Sequence, residues 1–216
     1  MPSSLVLKLV RHGQSTANTD EFNPQIQGDF RAPLTALGRE QARAAGAQIG
    51  REFLEGALVY ASPYLRAQQT LAGIFEATQG EGLPAGIYED PRLREVDHGY
   101  TDVKRQESLR ERHGWFYYRY EGGESPADCY DRVSGFLETL MRQVERKVAE
   151  RVLVVSHGLA LRCFVMRFLH MTVAEFETVE NPHNGAVVTI APRGMQGECV
   201  YEKGRFGVSG LTFRSG

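Results

Sequence analysis

Cysteine is scarce in this chain. Cys129, Cys163 and Cys199 are the only three in 216 residues. Their odd number and irregular spacing exclude a disulfide framework and point to a reducing compartment. An excess of basic charge is also missing. The 25 Lys and Arg stand against 27 Asp and Glu, a formal net charge of −2, which leaves no electrostatic footprint for nucleic acid. Long uninterrupted apolar runs are absent: the longest apolar stretch, 152–171, carries His157, Arg162, Arg167 and His170, which a bilayer span tolerates poorly. The N-terminus has no basic region ahead of an apolar one, and Lys8 interrupts its apolar stretch, so no secretory signal is expected. No repeat or low-complexity block occurs. What remains is a soluble, cytoplasmic protein of one large domain or two small ones, with 42% hydrophobic residues and enough chain to bury a substantial core.

Apolar, β-branched runs suited to strands lie at 5–10, 57–61, 152–156 and 186–191, with weaker ones at 86–89 and 198–203. Amphipathic helical patterns fall between them. Ala42, Ala45, Ile49 and Phe53 share a face after Thr35; Ala67, Leu71, Ile74 and Phe75 do so after Ser62-Pro63; Tyr130, Val133, Leu137, Leu140, Val144 and Val148 do so after Ser125. Ser62-Pro63 and Ser125-Pro126 each read as an N-cap followed by proline at the first helical position, and Asp128 adds a near capping box to the second. Strands alternating with helices predict an α/β fold on a largely parallel sheet. The segment from Pro192 onward reads as a hairpin and then a flexible tail over 204–216. The glycine spacing at 204–210 opens no helix, so it is not a phosphate loop.

The strand at 5–10 ends at Arg11-His12, and that at 152–156 runs into His157-Gly158. The strand at 57–61 leads to a helix with Arg66 in its first turn. Open α/β sheets bind ligands beyond the carboxyl ends of their strands. Two arginines and two histidines therefore meet at one edge, with no acidic residue nearby to neutralise them. Any one of them alone reads as a structural residue. Together they repel unless an anion joins them, and a phosphoryl group matches the forked donors of guanidinium.

The segments LVRHGQSTAN, QGDFRAPLTALGREQA at 27–42, ASPYLRAQQT at 61–70, LREVDHG at 93–99, GGESPADCYDRV at 122–133 and VVSHG at 154–158 resemble, in order, the motifs of the histidine phosphatase superfamily, which includes the phosphoglycerate mutases. The resemblance implies a single domain over 1–216, a phosphoglycerate mutase-like three-layer α/β/α sandwich on a mostly parallel sheet, and no cofactor or metal. It implies His12 as the nucleophile that becomes a phosphohistidine. Arg11, Arg66 and His157 would hold the phosphoryl oxygens, Glu95 would be the general acid, and Asn18 and Gln27 would be further phosphate contacts.

Those roles agree with elementary chemistry. Phosphoryl transfer is catalysed mainly by positioning and fixed positive charge; Arg11, Arg66 and a protonated His157 are expected to supply it. The same field favours a neutral His12. A phosphate's charge helps keep a nearby carboxyl protonated, which suits Glu95, with Asp97 as the alternative acid. Cys163 and Cys129 are followed by arginines at the wrong spacing for a thiolate phosphatase, and Asp97-His98 is the only adjacent pair suited to a two-metal hydrolase. The charged and aromatic segment 100–121 reads either as a lid, with Tyr117 or Arg119 on the leaving group, or as a surface helix whose aromatic end packs on the body. Asn184 either approaches the pocket or serves a turn.

The expected function is a metal-independent phosphomonoesterase, a phosphoric monoester hydrolase of the histidine acid phosphatase type, acting on small phosphorylated metabolites. Nucleic acid and membranes are not expected partners. The interval between Glu95 and His157 is compact, without adjacent arginines or a proline run, and so resembles the phosphatase branch of that superfamily. The alternatives are a phosphoglycerate mutase and a non-catalytic phospho-ligand-binding protein.

Overall fold

The computed structural model describes residues 4–19, 28–99, 106–195 and 198–214. A seven-stranded sheet in the order β3-β2-β4-β1-β5-β7-β6 forms its middle layer. β1 (Val6–Arg11), β2 (Leu58–Ala61), β3 (Gly86–Glu89) and β4 (Arg151–Ser156) pair in parallel. β5 (Val187–Pro192), β6 (Tyr201–Lys203) and β7 (Phe206–Ser209) continue the sheet through antiparallel pairings. Central parallel strands are covered on both faces, so their sequences are apolar without alternation; this is why Leu58, Val59, Val152, Leu153, Val154 and Val155 are all buried.

The helices are α1 (Ala36–Ile49), α2 (Arg51–Leu54), α3 (Leu65–Thr78), α4 (Glu107–His113), α5 (Pro126–Lys147), α6 (Gly158–Phe168) and α7 (Val173–Thr178). α1 and α3 cover one face, where Ala45, Ile49, Ala67 and Ile74 pack on Val10, Val59, Leu153 and Val155. α5 and α6 cover the other, where Val133, Phe136, Leu140 and Phe164 pack on Leu7, Leu9, Tyr60 and Val154. The result is the three-layer α/β/α sandwich.

Helix boundaries follow cap chemistry, with corrections to the sequence reading. Thr35 caps α1 by accepting from the Gly38 amide at 3.1 Å. That helix stops at Gly50, where φ is +79°, so Phe53 falls in α2. Ser125 and Asp128 close the expected capping box on α5 at 3.1 and 2.7 Å, whereas Val148 is the exposed C-cap rather than part of the apolar face. α3 starts two residues later than expected. Its N-cap is Tyr64, which makes no side-chain cap bond, and Ser62 is employed elsewhere. The segment 204–216 does not trail from the fold over its whole length: Phe206–Ser209 is strand β7, between β5 and β6, and Val208 is fully buried.

Candidate active site

The register of β1 and β4 builds the site. Arg11 lies opposite Ser156, and the His12 amide donates to the Ser156 carbonyl at 2.9 Å. His12 and His157 therefore leave adjacent strand ends side by side, with ring centroids 5.0 Å apart. The Ser62 amide donates to Val155 O at 2.9 Å, which brings the end of β2 to the same place. The loop after β1 lies so close to α1 that a Cβ on Gly13 would come within 2.2 Å of the Gly38 carbonyl; only glycine fits there.

Each histidine has one ring nitrogen fixed by the fold. His12 Nδ1 lies 2.7 Å from the carbonyl of Gly13. A carbonyl only accepts, so Nδ1 carries the hydrogen and Nε2 is bare. Arg66 Nε donates to that Nε2 at 3.2 Å. Burial and the charge of Arg66, joined by Arg11, push His12 down to about 3 against the opposing Gly13 bond, so its imidazole is neutral.

His157 is fully buried, with Nε2 2.8 Å from Ser62 Oγ. Ser62 Oγ also accepts from the Tyr64 amide at 3.3 Å. The hydroxyl, with one hydrogen and two lone pairs, can donate to Nε2, the arrangement that places the ring hydrogen on Nδ1; Nδ1 itself is buried and unpartnered. Burial, then the charges of Arg66, Arg132 and Arg11, hold His157 well below the ordinary imidazole value. The expectation of a protonated His157 is therefore corrected: its imidazole is neutral, because the ring is buried from solvent and arginines stand beside it.

The arginines differ in their freedom. Arg11 Nη1 donates to Pro182 O at 2.6 Å, while its buried Nε has no partner. Burial pulls Arg11 down, Glu95 opposes this, and Arg66 adds to it. Arg66, against expectation, has an acidic partner. Its Nη1 and Nη2 reach the two carboxylate oxygens of Asp29, both at 3.1 Å. Asp29 and Arg66 stand 37 residues apart in the chain, so no local sequence pattern pairs them.

Glu95 sits at the start of α6, its carboxylate accepting from the amides of Leu159 at 3.3 Å and Ala160 at 3.2 Å. It thus serves two of the unpaired donors of that helix. Its loop is held from behind. Arg132 donates through Nη1 to the carbonyls of Arg92 and Arg94 at 2.7 and 2.8 Å. Arg132 also forks onto Glu124, and Glu124 in turn accepts from Arg94. In the sequence both lie within GGESPADCYDRV, where nothing local ties either to the loop of Glu95. Asp97, the alternative acid, is exposed and turns back to the Gly99 amide at 2.8 Å.

Asn18 lies at the rim with its carboxamide oxygen accepting from the amide and hydroxyl of Ser15, at 3.0 and 3.1 Å. Asn184 does approach the pocket: its Nδ2 donates to His12 O at 3.0 Å. Gln27 lies outside the described residues, as do 100–105. Over 106–121 the aromatic end packs on the body through Phe116 and Tyr120, whereas Tyr117 is 64% exposed. Arg119 pairs with Asp128 at the start of α5. Among the described residues, no three His, Cys, Asp or Glu side chains converge as a metal-ligating group, and no helix is long and apolar enough to cross a membrane.

A paired-histidine, paired-arginine pocket at the carboxyl edge of this sandwich defines a class. The chain belongs to the histidine phosphatase superfamily (branch 1), whose family profile matches residues 7–202. It is 37% identical over 202 residues to the phosphoglycerate mutase-like protein AT74H of Arabidopsis thaliana, covering 84% of this chain and 71% of that one. It is 31% identical to phosphoserine phosphatase 1 of Hydrogenobacter thermophilus, covering 79% of each. Among solved structures, a mycobacterial glucosyl-3-phosphoglycerate phosphatase superposes with a TM-score of 0.70 at 23% identity, over 88% of this chain and 92% of that one, a likeness of fold.

Proposed function

We propose that this protein is a cytoplasmic, metal-independent phosphomonoesterase of the acid phosphatase type that works through a phosphohistidine at His12. One observation carries the reading: the bare Nε2 of His12 stands near two buried nitrogens with no partner, Arg11 Nε and His157 Nδ1, the latter a donor when the Ser62 hydroxyl donates to Nε2. Buried donors without partners are rare and call for a ligand, and an anion with several oxygens satisfies both while presenting its central atom to Nε2. In the first step the Nε2 lone pair forms the N–P bond as the P–O bond breaks, and the departing oxygen takes a proton from Glu95. In the second, water attacks phosphorus, Glu95 takes a proton from it, and the N–P bond breaks to free phosphate and neutral His12. A nucleophile with pKa near 3 is neutral throughout the mildly acidic range, so activity there is not limited by its protonation. The free thiols of Cys129, Cys163 and Cys199 suit a reducing cytoplasm.

Both relatives and chemistry favour small phosphorylated metabolites as substrates. The mutase-like relative keeps a second reading in view, return of the phosphoryl group to a carboxylated acceptor. Rapid mixing with a phosphomonoester followed by mass spectrometry should show one added phosphoryl group on wild type and none on His12→Ala. Inorganic phosphate should accumulate with or without EDTA, while an enolase-coupled assay on 3-phosphoglycerate stays slow. An unmodified, inactive wild type would make the protein a phospho-ligand binder, and fast isomerisation without free phosphate would make it a mutase.

A further inference from the structure

We infer that Asp29 is a positioning residue of the phosphoryl site, an internal anion that a substrate must displace from Arg66. Every nitrogen of the Arg66 guanidinium is engaged within the protein. Nε donates to His12 Nε2 at 3.2 Å, Nη1 to Asp29 O at 2.7 Å and Oδ1 at 3.1 Å, and Nη2 to Asp29 Oδ2 at 3.1 Å. The fork that would take two phosphoryl oxygens already holds a carboxylate of the same two-oxygen shape. The lone pair that would attack phosphorus already receives the Arg66 Nε–H. Asp29 fixes Arg66, Arg66 covers His12, and the resting site is closed by its own side chains.

The exchange is built to run one way. The Arg66 side chain is 4% exposed and the Asp29 side chain 41%, so the carboxylate can move into water while the guanidinium stays. Asp29 opens a single 3-10 turn, Asp29–Arg31, with no buried residue. Gly28 before it has φ +68°, a backbone position suited to a swing. Release of Asp29 therefore costs one ion pair and little packing. A carboxylate on the same chain competes at high effective concentration, so it weakens phosphate binding. It also retakes Arg66 when phosphate leaves, which speeds release of the product. This inference rests on the reading of Arg66 as a phosphoryl ligand.

The test is the sign of a change in affinity. Inorganic phosphate is titrated calorimetrically into the full-length wild type, Asp29→Asn, Asp29→Ala and Asp29→Glu, and steady-state product inhibition is measured beside it. With the competing charge gone, Asp29→Asn and Asp29→Ala should bind phosphate about five- to tenfold more tightly, on the scale of one charge-assisted contact. KM and the phosphate inhibition constant should fall together. Asp29→Glu, which keeps the charge, should stay closer to wild type than either. A residue that merely braced Arg66 would give the opposite sign, so weaker or unchanged phosphate binding in the neutral variants overturns the inference while leaving the phosphomonoesterase reading intact. Failure of all four proteins to bind phosphate overturns both.

Discussion

At the scale of single residues, the site works by settling which nitrogen holds each hydrogen. The Gly13 carbonyl, which only accepts, does this for His12; for His157 the contact is the Ser62 hydroxyl at Nε2, the hydrogen going to Nδ1 where that hydroxyl donates. Only the first kind of control lies near its target in the chain. Ser62 is 95 residues from His157, and beside Pro63 it has every local mark of a helix cap, so the sequence reading assigned it there. Tertiary use of the hydroxyl displaces that role, and α3 begins at Leu65 with no side-chain cap. Ser62→Ala should therefore leave the helix in place but free the His157 tautomer. We expect kcat/KM to fall about tenfold and stability to fall by about 1 kcal/mol, the value of one buried hydrogen bond. Unaltered kinetics would mean that His157 Nδ1 needs no such setting.

At the scale of elements, a clamp holds the loop that carries Glu95. Arg132, 10% exposed at its side chain, ties α5 to the carbonyls on either side of Leu93 and, through Glu124, to the Asp97 amide. Glu95 projects from the loop so held toward the N-terminus of α6. Loosening the clamp should impair proton donation before it impairs phosphate binding. Arg132→Met should slow alkyl phosphates by tenfold or more, within the ~100-fold reach of a positioned acid, and p-nitrophenyl phosphate much less, since its leaving group needs no proton. Equal losses on both substrates would place Arg132 in the scaffold alone. Much of the architecture was legible because it is written locally: apolar runs for β1, β2 and β4, caps for α1 and α5, and histidines and arginines at strand ends. The clamp, the Asp29–Arg66 pair and the placement of β7 were not, because each joins segments distant in sequence through hydrogen bonds whose partners have no periodicity to betray them. The hydrophobic pattern likewise could not distinguish a loose end from the short strand at Phe206–Ser209, which is held by its neighbours in the sheet and by Phe206 and Val208 packing in the core.

For the molecule as a whole, two neutral histidines buried between sheet and helices tie stability to pH. His12 is held near 3 by burial and Arg66, and His157 is displaced in the same direction by burial and the same charges. In the unfolded chain both return to the ordinary value near 6.5. Below that value the unfolded state binds protons that the folded state refuses, so unfolding becomes easier as pH falls. The effect is absent above pH 7 and grows through the window between about 6.5 and about 3. At pH 5 His12 alone lowers stability by about 2 kcal/mol, a sizeable share of the ~5–15 kcal/mol that holds a typical domain together. Other groups titrate over the same range, so the informative quantity is the difference between wild type and His12→Gln. Urea unfolding from pH 7.5 to pH 5 should show the free energy of wild type falling more steeply, by close to one bound proton, with the two curves converging or crossing toward acid. Parallel curves would show that the folded state accepts the proton at His12, and would remove the physical basis for a nucleophile kept neutral by its surroundings.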